Sequence, residues 1–368
     1  MCTARSGADA LKCLESDDYN VIVSDIGMPG MNGAELLGLV EERYPNVFRV
    51  VLSGRADREA VISAVQPMHR YLTKPCDPHL LIDMIRRAET FQKTIPESTV
   101  LDAIGQANGL PSSPSIVSKI WDELANENWN AQSVAGIIEQ DPLLTARILQ
   151  IANSAIIALQ KPVFDLEQAV SLVGKELIQS LAMWQAFVPE TPNPSSALST
   201  HALFDHSLEV AVLAREFSQH LCEGDGDVGC VFSGALMHDI GKLILLNAFP
   251  ERYGELVERS RSQNRQLWEL ELNELGVSHP GVGAYLLELW GVPAPLVEIV
   301  GSHHSLDLCS RRSVACRIVY GADWVCNGAD EQVLEREVRT AEHPERALQL
   351  QRELLGWKVS KLDKVGAE

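Results

Sequence analysis

The sequence predicts two domains, an α/β domain with a partial parallel sheet followed by an all-helical domain. Residues 1–92 alternate short apolar runs with helical patterns, as strands joined by crossover helices do. From about residue 96, apolar residues recur at intervals of three and four, which is the period of amphipathic helices. The length of 368 residues exceeds that of one ordinary domain and supports this division.

Changes in composition set the expected boundaries, because stretches rich in proline, glycine and serine interrupt the periodic segments. The predicted segments are an α/β domain at 1–92, a linker at 93–107, a helical domain at 108–343 with bundles at 108–187 and 201–343, and a C-terminal helix and tail at 344–368.

Composition and charge exclude several classes of protein. No uninterrupted apolar run approaches the roughly 18 residues of a membrane-spanning helix, and no signal-peptide pattern opens the chain. We therefore expect a cytoplasmic protein without membrane contact. The net charge of −19 disfavours direct nucleic-acid binding, since it repels a phosphate backbone. Eight cysteines without a C-x-x-C pair indicate neither a zinc ribbon nor a disulfide framework.

Three polar residues are predicted at the carboxyl ends of three strands in the first domain. Asp25 ends "VIVSD", Ser53 follows "VVL", and Lys74 follows "YLT". The carboxyl ends of parallel strands meet at one edge of the sheet, which is where such folds place their ligands. A carboxylate that accepts a phosphoryl group, beside a hydroxyl and an ammonium that contact it, is a phosphotransfer site.

These three motifs, which include "DIGMPGMNG" and "KP", resemble the response-regulator receiver domain, a flavodoxin-like fold. The resemblance implies that Asp25 is the phosphoacceptor, Ser53 the switch hydroxyl and Lys74 the phosphate partner. It also implies that Tyr71 is the aromatic residue that changes rotamer. A two-component phosphorelay follows from it, with a histidine kinase or another signalling protein as partner.

The pattern departs from a receiver domain before Asp25. Only 24 residues precede it, and "ADALKCLESDDY" is typical of a helix that leads directly into the acceptor strand. We therefore expect an N-terminally truncated receiver-like domain in which the acceptor strand is an exposed edge. The acidic pair of the first strand would be missing, which argues against Mg²⁺ beside Asp25. Whether the natural chain starts earlier or the domain is a degenerate interaction platform stays open.

The helical domain carries histidines and carboxylates at positions predicted to face inward. His206 falls in an apolar stripe of its helix, Asp323 shares a face with apolar residues, and His238 and Asp239 follow the apolar run "VFSGALM". Buried imidazoles and carboxylates are costly alone, so we expect them to share partners or a cation. Their donor types suit Fe, Mn or Zn, and two such ions can activate water for attack on phosphorus.

The segments "DPLLTARILQIANSA", "GALMHDIGK" and "SHH" resemble HDOD, the HD-related output domain, over about residues 108–340. HDOD is an all-helical branch of the HD phosphohydrolase superfamily. Resemblance to that superfamily implies three groups of residues. The implied shared metal ligands are His206, His238, Asp239 and Asp323, the implied second site is His279, His303 and His304, and the implied phosphate contact is Lys242.

The predicted function is that of a bacterial signalling protein of the response-regulator type. Its receiver-like input would be coupled to an HDOD output that acts through protein–protein contacts, because HDOD proteins are generally non-catalytic and no G-Y-P element follows His304. Two alternatives stay open. One is a metal-dependent phosphohydrolase or phosphodiesterase that acts on a nucleotide or cyclic dinucleotide, and the other is a sensor that binds such a ligand uncut. A homodimer is also left open.

Overall fold

The computed structural model describes most of the chain. The described residues are 2–54, 67–93, 95, 98–107, 114–126, 128–153, 161–175, 178, 200–221, 228–328 and 330–365. Within these ranges the chain forms a small parallel sheet with its helices, followed by a region that is entirely helical. The predicted fold class is therefore confirmed.

The first domain alternates strands and helices, as its sequence pattern predicts. Its elements are α1 (Gly7–Ser16), β1 (Val21–Asp25), α2 (Gly33–Arg43), β2 (Phe48–Ser53), β3 (Arg70–Thr73) and α3 (Pro78–Gln92). The three strands are parallel in the order β1-β2-β3, with Val21 opposite Phe48 and Val50 opposite Arg70. Among the described strands β1 forms one edge of the sheet, and its Val23 is 38% exposed.

The segment predicted as a linker contains a packed helix. Residues Ser98–Gly105 form α4, in which Val100 and Ile104 are buried against the helical domain. Among the described residues, four further helices belong to the first helical bundle. They are α5 (Pro114–Ala125), α6 (Ala131–Ile138), α7 (Pro142–Ala152) and α8 (Leu166–Val173).

The second bundle carries the candidate site and the C-terminal helices. Its elements are α9 (Thr200–Leu221), α10 (Val228–Met237), α11 (Ile240–Ala248), α12 (Pro250–Gln263), α13 (Leu267–Leu275), α14 (His279–Trp290), α15 (Ala294–Ser302), α16 (Leu306–Arg311), α17 (Val314–Cys326), α18 (Glu331–Thr340) and α19 (Pro344–Val365). The stretch Cys230–Ala248 is apolar enough to cross a membrane by length and composition, but 89% of it is buried inside the protein. It is the core of this bundle.

The two domains share one hydrophobic core and a buried polar interface. Residues from the sheet, such as Val50, belong to the same buried cluster as Ile148 of α7. The fully buried Arg49 of β2 donates a 2.7 Å hydrogen bond to the carbonyl of Gly105 at the end of α4. Gln150 of α7 donates a 2.9 Å hydrogen bond to the carbonyl of His69, immediately before β3. Such bonds satisfy polar groups that would otherwise be costly to bury.

A second contact joins β3 to α14. Arg70 donates a 2.7 Å hydrogen bond to the carbonyl of Glu288 and lies 3.7 Å from its carboxylate. Gly291, which ends α14 with φ of +76°, leaves room for this guanidinium, because a Cβ there would lie 1.9 Å from its Nη1. Any larger residue at this position would displace Arg70 and strain the backbone.

Candidate metal centre

A cluster of seven histidine and aspartate side chains lies at the centre of the second bundle. His238 and Asp239 occupy the turn between α10 and α11, and Asp239 makes no capping hydrogen bond, so its carboxylate is available to the cluster. Gly241 allows α11 to approach α14 closely, since a Cβ there would lie 2.0 Å from the carbonyl oxygen of His279. The glycine of "HDIGK" therefore brings the His238–Asp239 turn against the start of α14.

The other members arrive from four separate helices. His206 lies on α9, His279 begins α14 and Asp323 lies on α17, while His303 and His304 form the turn after α15. All of them except His206 and His304 are almost fully buried.

Asp239 stands between two groups of imidazoles. Its Oδ1 lies 3.3 Å from Nε2 of His279 and 3.6 Å from Nε2 of His303. Its Oδ2 lies 3.4 Å from Nε2 of His238 and 3.8 Å from Nε2 of His206. One carboxylate therefore reaches both sides of the cluster.

Asp323 closes the cluster from the opposite side. Its Oδ1 lies 3.1 Å from Nε2 of His206 and 3.5 Å from Nε2 of His238, and its Oδ2 lies 3.6 Å from Nδ1 of His304. Two sets of donor atoms result, each within 4.8 Å of one another. The first set is Asp239, His279, His303 and His304, and the second is His206, His238 and Asp323.

Hydrogen bonds outside the cluster orient three of the rings. Nδ1 of His238 donates to the carbonyl of Ala235 at 2.6 Å, and Nδ1 of His303 donates to the carbonyl of Val300 at 2.7 Å. Nδ1 of His279 donates to the buried carboxylate of Glu271 at 2.7 Å. Because Nδ1 donates in each pair, Nε2 is the ring nitrogen that faces the centre, which is the arrangement of metal-bound histidines.

The centre contains polar atoms that lack hydrogen-bond partners. In the described part of the chain, Nε2 of His238, His279 and His303 and Oδ1 of Asp239 are buried without one. Buried groups of this kind are costly unless they are satisfied, and two cations, one in each set of donors, would satisfy all four. Ligands about 2.1 Å from one ion lie roughly 3.0–3.5 Å apart, and the carboxylate of each set lies 3.1–3.6 Å from two imidazole nitrogens of that set. These residues therefore fit a transition metal.

Electrostatics also favour a cation at this position. Burial raises the pKa of Asp239, but the charges of His238 and Lys242 outweigh it and hold the pKa well below the usual range. Burial opposes the charged form of His238 too, and the carboxylates of Asp239 and Asp323 nevertheless raise its pKa to about 10. Burial lowers the pKa of His303 to about 4, so this ring is neutral at pH 7 and can donate an electron pair to a metal. The carboxylates thus hold positive charge in the centre, as a proton or as a metal.

A cavity of about 420 Å³ opens onto the cluster. Lys242 lies at its inner end, where its Nζ donates to Oδ2 of Asp239 at 2.5 Å. His206, His304 and Asp323 also line it. A ligand in this cavity can therefore reach the donor atoms.

The structure also brings together part of the predicted phosphoacceptor site. Nζ of Lys74 forms an ion pair with Oδ2 of Asp25, and the N–H of Gly27 donates to Oδ1 at 3.3 Å. Burial raises the pKa of Asp25 but these bonds outweigh it, so the pKa is lowered. Tyr71 is buried in β3. The backbone of Ser53 pairs with Thr73, and its side chain lies outside the described residues.

No metal-ligating group of three or more side chains in the described residues includes Asp25. Sequence reasoning missed Glu271, which orients His279 from α13. The helix "LWELELNEL" carries three glutamates, and the burial that distinguishes Glu271 from the other two is visible only in the structure.

Comparison with known proteins decides the family. The HDOD domain model matches residues 110–306, which is more than half of the chain. The chain belongs to the HDOD family. The response regulator receiver domain model matches residues 1–86. A receiver domain followed by an HDOD domain is the architecture of a signal-transduction protein of the response-regulator type, and this prediction is confirmed.

Individual relatives match parts of this HDOD protein. An uncharacterized protein of Treponema pallidum is 24% identical over 221 residues, which cover 58% of this chain and 41% of that one. The hydrogenase transcriptional regulatory protein HoxA of Cupriavidus necator is 39% identical over 88 residues, which cover 23% of this chain and 18% of the regulator. The chain thus spans less than half the length of these curated relatives.

A solved structure shows the same fold. The crystal structure of a virulence factor from Campylobacter jejuni is 21% identical, with a TM-score of 0.50. The alignment covers 70% of this chain and 89% of that chain.

Proposed function

We propose that this HDOD protein is a signalling protein that responds to phosphorylation or partner binding at the Asp25 face and whose output domain binds two transition-metal ions. The observation that carries the proposal is the convergence of seven donor side chains around buried nitrogen and oxygen atoms without hydrogen-bond partners among the described residues. Imidazole and carboxylate donors suit Fe, Mn or Zn. His279, His303 and His304 would hold one ion with Asp239, and His206, His238 and Asp323 would hold the other.

Each residue of the cluster has a distinct task in this proposal. A bound metal supplies a Lewis acid that polarises a phosphoryl oxygen or water. Asp239 holds the two donor groups together, and Glu271 keeps His279 in the tautomer that a metal needs. Lys242 would hold a ligand phosphate at the inner end of the cavity.

In the receiver domain, Asp25 would accept the phosphoryl group and Lys74 would neutralise its added charge. Ser53 and Tyr71 would form the switch. The state of Asp25 would reach the output domain through β3, because this strand ends beside Lys74 and begins at Arg70, which binds Glu288.

The contact between β3 and α14 is connected to the metal centre through a single helix. Glu288 lies on α14, and this helix begins at His279. A change in strand position would therefore shift the balance between two packings of the domains, which a protein partner reads. The expected partner is a histidine kinase or another signalling protein in the cytoplasm.

A second candidate function is a metal-dependent phosphohydrolase. The cavity that reaches the donor atoms and Lys242 favours it, because such a cavity admits a phosphate ester to the metals.

The test is metal analysis of the purified full-length chain. We expect about two equivalents of Fe, Mn or Zn in the wild type and a large loss in His238→Ala and Asp323→Asn. His79→Ala, at an exposed histidine outside the cluster, is the matched control and should keep its metal. A wild-type chain that takes up no metal after incubation with each ion would refute the metal centre. Turnover of nucleotides by the loaded protein would decide in favour of the second candidate.

A further inference from the structure

Two arginines line the cavity that opens onto the metal centre and do not belong to the cluster. We call these two residues the basic rim. Arg261 and Arg265 line this cavity, and neither forms an ion pair with a described acidic residue. Nearby arginines behave differently, since Arg259 pairs with Glu274 and Arg336 pairs with Glu269. The same cavity is lined by four carboxylates, and both arginines are exposed, so their guanidinium groups are accessible to a ligand. The carboxylates are those of Asp239, Asp323, Asp330 and Glu337.

Backbone hydrogen bonds fix the end of the helix that carries the two arginines. Helix α12 ends in Asn264, which has a left-handed φ of 50°. The N–H of Arg265 donates to the carbonyl of Ser260 at 3.0 Å, and the Ser260 hydroxyl donates to the carbonyl of Arg265 at 2.7 Å. These bonds close the C-terminal turn of the helix. Arg261 complements the helix dipole in the last turn, but Arg265 lies beyond the helix, so this role does not explain it.

The rest of the cavity suits the organic part of a ligand. Leu267, Tyr320, Trp324 and Val333 line it together with the metal donors. A volume of about 420 Å³ is in the range of small-molecule sites. Asp330 also lines the cavity, and its carboxylate caps α18 by accepting from the N–H of Gln332 at 2.9 Å.

We propose that Arg261 and Arg265 form a second anion subsite in this cavity. Its ligand is a nucleotide-like organic phosphate with two separated phosphate groups, one directed at the metal centre with Lys242 and the other bound at the rim. Guanidinium groups bind phosphate through two parallel hydrogen bonds, which gives geometric specificity as well as affinity. This inference rests on the proposed metal centre, since that centre holds the first phosphate.

The test uses the full-length chain loaded with Mn²⁺ and two probes, inorganic phosphate and adenosine 3′,5′-bisphosphate. Calorimetric titration should give tighter binding of the bisphosphate to the wild type. The variant Arg261→Ala/Arg265→Ala should lose roughly tenfold or more of its affinity for the bisphosphate. It should keep the wild-type metal content and lose much less of its affinity for inorganic phosphate, because a single phosphate can still bind at the metal centre.

Arg259→Ala is the matched control. Arg259 lies on the same helix, pairs with Glu274 and does not line the cavity, so both affinities should remain unchanged. An equal bisphosphate affinity in the wild type and the double variant, or a bisphosphate that binds no more tightly than phosphate, overturns the subsite. A wild type without metal overturns the metal centre and the subsite together, and the metal content identifies that outcome.

Discussion

Glu337 lies between two cavities, and its raised pKa leads to a quantitative prediction about stability. This partly buried carboxylate of α18 lines both the metal-centre cavity and a neighbouring one that His304 also lines. It accepts a 2.9 Å hydrogen bond from the N–H of Leu306 and a 3.3 Å hydrogen bond from the hydroxyl of Tyr320. Burial outweighs these bonds and raises its pKa from 4.5 to about 7.

The raised pKa makes the glutamate destabilising at neutral and alkaline pH. The unfolded chain loses this proton near pH 4.5, whereas the folded chain keeps it until about pH 7, so unfolding becomes easier as pH rises between these values. At about 1.4 kcal/mol per pKa unit the full penalty is about 3 kcal/mol. Partial exposure of the side chain reduces it to about 2 kcal/mol.

Glu337→Gln removes the charge and keeps an oxygen for Leu306. We expect the variant to exceed the wild type in free energy of unfolding by about 2 kcal/mol at pH 8 and by about 1 kcal/mol at pH 5.5. Urea unfolding followed by circular dichroism measures both values. Glu335→Gln, at an exposed position on the same helix, should show no such pH-dependent gain. A Glu337→Gln variant that is no more stable than the wild type at pH 8 would refute the claim that the buried charge of Glu337 destabilises the fold.

Three further predictions concern the two sites. Asp25→Asn should abolish any change in mass or oligomer size that acetyl phosphate or beryllofluoride with Mg²⁺ causes in the wild type, because it removes the acceptor carboxylate. Glu271→Gln should weaken metal binding roughly 10- to 100-fold, measured by competition with a chelator, since it weakens the hydrogen bond that orients His279. Gly241→Ala should lower the midpoint of thermal unfolding and the metal content together, because its Cβ would collide with the carbonyl of His279.

Local patterns were sufficient to predict the fold class and part of the cluster. Strand–helix alternation identified the α/β domain, and apolar stripes placed His206 and Asp323 on inward faces. The full set of seven cluster residues was implied by the resemblance to the HD superfamily. Each of these signals lies within one short segment of the chain.

The remaining features depend on contacts between distant segments. That Asp239 reaches both donor groups follows only from the approach of α11 to α14 at Gly241. Arg70 and Glu288 are 218 residues apart in sequence, and periodicity carries no information about such a pair. The packing of the helix within the predicted linker could not be predicted for a similar reason, since Val100 and Ile104 are buried against another domain.

The seating of Arg70 over Gly291 limits how this protein can be rearranged. An input domain from another response regulator cannot simply be grafted onto this output domain, because the graft would have to bring a guanidinium of matching reach to Glu288. The graft would also need a backbone carbonyl at the position of the His69 carbonyl, which accepts a hydrogen bond from Gln150. Recombination between such proteins is therefore constrained at this junction, and the two halves have to change together.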